Sequence, residues 1–125
     1  MILVDSSVWI DHLRSGNPML TDLLNAEAVL CHPFVIGELA LGSLPDRHDF
    51  LALLRDLPKA TEASNDEVQL LIEAEYLFGR GIGYVDAHLL ASARLTAGSR
   101  LWARDRRLHE NAMRLGIAWQ SDRPH

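Results

Sequence analysis

Short apolar runs alternate along this chain with longer stretches of helical period. Ile2-Leu3-Val4 is an unbroken apolar run that stops at Asp5, the pattern of a short strand covered on both faces. The next segment, SSVWIDHLR, sets Val8 and Trp9 against Asp11, His12 and Arg14, which predicts an amphipathic helix. NPMLTDLLN predicts a second helix, with Pro18 where a first turn accepts proline. EAVLCH (27–32) predicts a second strand, and Pro33 opens the helix PFVIGELALGS. LPDRHD reads as a turn and FLALLRDL as a helix that stops before Pro58. KATEA is a candidate short strand, and Ser64 to Glu67 start a helix through DEVQLLIEAEYLF. GRGIG (79–83) breaks the chain before YVDAHLLASARLTAG, whose Ala and Leu content predicts a buried helix. RLWA predicts a strand, DRRLHENAMRLG a helix ended by Gly116, and IAW a last strand.

Short strands alternating with helices predict an α/β fold, a three-layer α/β/α sandwich around a mostly parallel central sheet. No internal repeat, low-complexity segment or linker interrupts the 125 residues, so residues 1–125 are expected to form a single domain. Open parallel sheets bind ligands beyond the carboxyl ends of their strands. Asp5 lies at such an end.

Composition narrows the picture modestly. A hydrophobic content of 48% is enough for a core without cross-links. The one cysteine, Cys31, excludes a disulfide framework and a cysteine zinc knuckle, and it fits a reducing compartment. No basic-then-apolar leader and no run near ~20 apolar residues is present, so a cytoplasmic protein with no membrane contact is expected. The net charge of −5 is unevenly spread. Residues 1–79 hold 4 Arg/Lys and 13 Asp/Glu, a net of −9, whereas residues 80–125 hold 8 Arg and 4 Asp/Glu, a net of +4. Such asymmetry hints at contact with a polyanion, though solvated arginines explain it equally well.

Four acids carry the chemistry. Asp5 and Asp105 each follow an apolar run and precede a helix, where an aspartate ordinarily serves as N-cap. Asp86 falls in the first turn of its helix, where the helix dipole favours a negative charge. Glu38 is the only charge in PFVIGELALG, flanked on its own face by Phe34 and Leu41, so a buried or edge carboxylate is expected there. Each has an ordinary use alone. Together they are placed to converge at one edge of a parallel sheet. Carboxylates so gathered repel one another and require cations, and an all-oxygen donor set selects hard ions such as Mg²⁺ or Mn²⁺. That chemistry suits phosphoryl transfer.

The stretches ILVDSSVWIDHL, VIGELALG, YVDAHLLASA and LWARDRRL resemble the PIN domain of the VapC type II toxins, in order and over essentially the whole chain. The resemblance implies a metal-dependent endoribonuclease in which Asp5, Glu38, Asp86 and Asp105 hold one or two Mg²⁺ or Mn²⁺ ions. Water would attack an RNA phosphodiester, leaving a 5′-phosphate and a 3′-hydroxyl. Ser6 stands where the family often has Thr. Ser7 is the candidate for orienting Asp5. Ala103 departs from the family, which often carries Thr two residues before the last acid, and this makes Asp105 the weakest match. The resemblance also implies a cognate VapB-type antitoxin that inserts a basic residue into the acidic site, and a homodimer. Arg104, Arg106 and Arg107 flank Asp105 and are candidates for RNA phosphate contact.

Other readings fit less well. His12, His32, His48, His88, His109 and His125 show no paired metal spacing and read as surface or satisfied core residues. Trp9, Trp102 and Trp119 read as core. A haloacid dehalogenase-type phosphatase needs a second acid two residues after the first, where this chain has Ser7. A receiver module needs a strand-end lysine, and the only lysine is Lys59. A PIN fold that has lost activity and acts only by binding is disfavoured by the presence of all four acids.

Overall fold

A computed structural model of the chain describes residues 1–120; His125 lies outside them. Ile2–Val4 forms β1, Val29–Leu30 forms β2 and Arg100–Trp102 forms β3. The sheet order is β2-β1-β3, with every pairing parallel. β1 is therefore central, and all three of its side chains are buried, as a strand packed on both faces requires. The two outermost strands expected from KATEA and IAW reduce to single parallel bridges, Cys31 to Lys59 and Leu101 to Ala118. Each bridge is held by a pair of backbone hydrogen bonds, so the sheet spreads to five chain segments without gaining full strands.

The helices are α1 (Ser6–Ser15), α2 (Pro18–Asn25), α3 (Pro33–Ala40), α4 (Arg47–Asp56), α5 (Asn65–Ala74), α6 (Tyr84–Leu95) and α7 (Arg106–Arg114). α6 packs between α5 and β3. It buries every residue from Ala87 to Ala93, as its Ala- and Leu-rich sequence leads one to expect. α5 ends at Ala74, four residues before the apolar pattern does. Tyr76 turns left-handed (φ 53°), and Leu77 N–H then donates back to the Ile72 carbonyl at 3.0 Å. This is the Schellman closure, here without the glycine that usually marks it. It folds Leu77 into the core, 3% exposed. α7 closes the same way at Gly116, with Ile117 N–H reaching the Ala112 carbonyl at 2.9 Å.

One core joins both sides of the sheet. Leu3, Val8, Trp9, Leu20, Leu54, Leu89, Leu101 and Leu108 are its fully buried centre. Among the described residues no helix is long and apolar enough to cross a membrane.

Leu3 contributes a side chain at 0% exposure in the middle of the central strand, whereas Leu41 is 91% exposed. Leu3→Ala is expected to lower unfolding free energy by about 2–5 kcal/mol and Leu41→Ala by less than about 0.5 kcal/mol, as read from urea midpoints at constant m-value.

Candidate active site

The carboxyl edge of the sheet gathers the four acids by way of three helix starts and one helix body. Asp5 extends β1 by one residue, its N–H donating to the Trp102 carbonyl at 2.9 Å. Its side chain then caps α1. Ser7 donates both its backbone N–H (3.2 Å) and its hydroxyl (2.6 Å) to Asp5 Oδ2. The same Ser7 hydroxyl accepts the Arg104 N–H at 3.0 Å. One hydroxyl thus ties the exit of β1 to the exit of β3 and fixes the Asp5 rotamer.

Asp105 caps α7, its Oδ1 accepting the Leu108 N–H at 2.9 Å. Asp86 stands in the first turn of α6, and its Oδ2 accepts the Gly83 N–H at 3.2 Å. Glu38 projects from α3, and its Oε1 accepts the Ser6 hydroxyl at 3.3 Å. The expected capping roles of Asp5 and Asp105 are therefore present, and the clustering is present as well.

The acids feel one another. Burial pushes the Glu38 carboxyl above its ordinary range, and Asp5 and Asp86 push it the same way against the Ser6 hydrogen bond. Burial likewise raises Asp86, and Asp5 and Asp105 add to it against the Gly83 hydrogen bond. Asp86 is the middle of the group, in the field of Asp5 on one side and Asp105 on the other. Asp5 is buried, Asp86 half-buried, and Glu38 and Asp105 are exposed. The group forms a well with Asp5 at its floor.

Of the two placements expected for Glu38, buried or at the edge of an apolar helix, the structure shows the edge. Val35 and Leu39 face the core, while Phe34 is 40% and Leu41 91% exposed. The apolar residues beside Glu38 belong to an open face of α3, and its carboxylate stands at the rim.

No cation pairs with these acids among the described residues. Among the described residues the ion pairs of Arg94, Arg104 and Arg106 go to Glu75, Asp11 and Glu110. Arg107 lies over Gly81, where a Cβ would meet its Nη1 at 2.1 Å. Gly81 has φ 75°, a conformation that favours glycine. Arg104 and Arg106 flank Asp105 with exposed side chains, and Arg107 is turned toward the glycine loop.

The donor set is all oxygen, which matches hard divalent ions. Each of the four acids also keeps one oxygen with no hydrogen bond among the described residues. As placed, the site is open: among the described residues no three His, Cys, Asp or Glu side chains already enclose a metal position. The fit of the group to a cation is thus one of donor chemistry.

Two of the histidines serve the backbone. His32 caps α3, its Nδ1 accepting the Phe34 N–H at 3.0 Å, and His12 Nδ1 accepts the Asn17 N–H at 3.0 Å. His88 Nε2 contacts Asn65 Oδ1 at 3.1 Å, an oxygen that also accepts the Tyr84 hydroxyl. The cap at His32 and the Ser6–Glu38 bond escaped the reading of the sequence. Only Pro33, which fixes a helix start just after His32, signals the first.

Residues 2–113 match the PIN domain family. The chain is 48% identical over 118 residues to Ribonuclease VapC32 from Mycobacterium tuberculosis strain CDC 1551 / Oshkosh, covering 94% of this chain and 95% of that protein. The protein of the same name from strain ATCC 25618 / H37Rv matches to the same extent. A parallel sheet with its acids gathered at the carboxyl edge and a family match over most of the chain lead to one conclusion: this chain belongs to the PIN domain family.

Proposed function

We propose that this chain is the toxin endoribonuclease of a VapBC-type toxin–antitoxin module, acting in the cytoplasm on RNA phosphodiester bonds, with Asp5, Glu38, Asp86 and Asp105 holding Mg²⁺ or Mn²⁺. The observation that carries the metal site is the group of four mutually repelling carboxylates that pair with no cation among the described residues. The likeness to proteins named Ribonuclease VapC32 supports the activity.

A divalent cation bound there supplies positive charge against the phosphate oxygens and makes water a stronger nucleophile. The chain's residues supply the rest. Asp5 is the fixed point, held by two Ser7 hydrogen bonds at the floor of the well. Ser7 positions Asp5 and locks β3 beside it through Arg104 N–H. Burial and the neighbouring acids raise the proton affinity of Glu38 and Asp86, a cost that a bound cation would relieve. Arg104 and Arg106 stand outside the well, where they reach RNA phosphates without quenching the acids.

The partner is a VapB-type antitoxin. A cavity of about 390 Å³ between α1 and α3 supports this, since Ile10, Leu13, Leu39 and Leu44 line it and Glu38 forms part of its wall. An amphipathic segment seated there brings a basic side chain to the acidic rim. A homodimer is proposed for the free toxin, in keeping with the family.

Asp5→Asn and Glu38→Gln are each expected to lower cleavage of total cellular RNA by about 10²–10³-fold, with far-UV circular dichroism unchanged. Ser7→Ala is expected to cost about 10–100-fold. EDTA is expected to abolish the discrete new 5′-phosphate ends. Retained cleavage in Asp5→Asn or in EDTA would overturn the metal site, and folded protein giving no new ends with either ion would favour a binding-only PIN fold.

The raised Glu38 and Asp86 carboxyls bind protons more tightly in the folded chain than in the unfolded one. The stability tied to them is thus fully present below the ordinary carboxylate values of 4.5 and 3.8 and is lost as pH rises through the raised ones. In EDTA, the urea midpoint of the wild type is expected to fall across that window, and Asp86→Asn to flatten the fall. Mg²⁺ is expected to restore the wild-type midpoint at neutral pH and to act less on Asp86→Asn. Parallel pH profiles of the two proteins would refute the coupling.

A further inference from the structure

A second cavity, of about 450 Å³, opens beside the segment that leads from β3 into α7. Its lining contains Trp102, Trp119, Arg104, Arg106, His109 and Gln120, and among the described residues no Asp or Glu. That is notable in a chain with 17 acids and a net charge of −5. Trp102 is buried and Trp119 half-buried. Their ring centroids lie 4.5 Å apart at 49°, so the inner indole holds the outer one in place. The volume falls in the range of small-ligand sites.

From these features we infer that the cavity is a subsite for one unpaired nucleotide of the RNA substrate, its base against the indoles and its phosphate on Arg104 and Arg106. This rests on the ribonuclease reading above and adds where the strand lies. Indole faces stack any base, and arginines beside them take the phosphate. Arg106 is available, since its contact to Glu110 is 3.6 Å long between groups 81% and 61% exposed, which holds weakly. Arg104 belongs to both places. Its side chain lines the cavity, and its N–H binds the Ser7 hydroxyl that fixes Asp5. A nucleotide seated here is thereby adjacent to the acidic site. Its base must be free of a duplex partner to enter, so the substrate class is single-stranded or loop RNA.

The test is binding of penta-adenylate RNA and of an abasic ribose-phosphate strand of equal length to the full chain in EDTA, read by indole fluorescence. Penta-adenylate is expected to bind about 5- to 150-fold more tightly than the abasic strand. Trp119→Leu, which keeps apolar bulk on Trp102, is expected to erase that difference and leave abasic affinity unchanged, while Trp119→Phe restores it. Arg106→Gln is expected to weaken both strands alike and lower the salt slope by about one. Equal binding of the two strands by the wild type, or an unchanged preference in Trp119→Leu, overturns the subsite. If Trp119→Leu instead dissociates a dimer in sedimentation and leaves the preference intact, the cavity is a protein contact and the inference fails. In each of these cases Asp5-dependent cleavage of cellular RNA still stands as a separate result. Loss of both RNA binding and cleavage in folded wild type would instead defeat the ribonuclease reading itself.

Discussion

Repulsion among carboxylates at one sheet edge is the constraint around which this molecule is arranged, and backbone N–H groups carry most of it. Asp5, Asp86 and Asp105 each accept a hydrogen bond from a backbone N–H at the start of a helix. Those N–H groups have no partner within the helix and lie at the positive end of its dipole. The acids therefore satisfy three helix termini while being brought close together. Capping and clustering are not rival explanations of the same residues. The caps are the means by which a chain gathers negative charge without unfolding. Glu38 has only the Ser6 hydroxyl, and its proton affinity rises accordingly.

The placement of cations follows from the same constraint. An arginine inside the well would neutralise it and remove its capacity for a metal. The arginines near the site have other neighbours: Arg104 pairs with Asp11, Arg106 makes a long contact to Glu110, and Arg107 fits over a left-handed glycine. Among the described residues none of the three pairs with the four acids, so a basic C-terminal half and an acidic centre coexist in one chain.

Much of this was legible in the sequence because it depends on local rules. Asp5 ends an apolar run and precedes an amphipathic helix, so its place at a strand tip follows from periodicity alone. Asp105 repeats that context, and Asp86 follows a glycine-rich break. Their convergence needed a parallel sheet with β1 in its centre, which alternation of elements implied but did not order. What escaped was decided at longer range. For Glu38 the sequence left burial and an edge position both open, because which side of α3 faces the core is set by its packing on α1. α5 stops early because Tyr76 takes a left-handed turn that nothing in its residue type announces. The strands expected at KATEA and IAW shrink to bridges, since a sheet edge needs only enough pairing to close the core. Trp119 read as core and instead forms a wall of a cavity, a distinction that periodicity does not contain.

The bond between the Ser7 hydroxyl and Arg104 N–H joins positions 97 residues apart. β1 likewise finds its second neighbour only at residues 100–102. During synthesis on the ribosome, the N-terminal three-quarters of the chain holds Asp5, Glu38 and Asp86 but has no β3 to set beside them. Asp5 then lacks one side of its strand and the hydroxyl that orients it lacks its second partner. The acidic centre comes into being only when the last acid and its strand have emerged and docked. A destructive activity built on this topology is therefore silent in the growing polypeptide and in any fragment that stops short of β3.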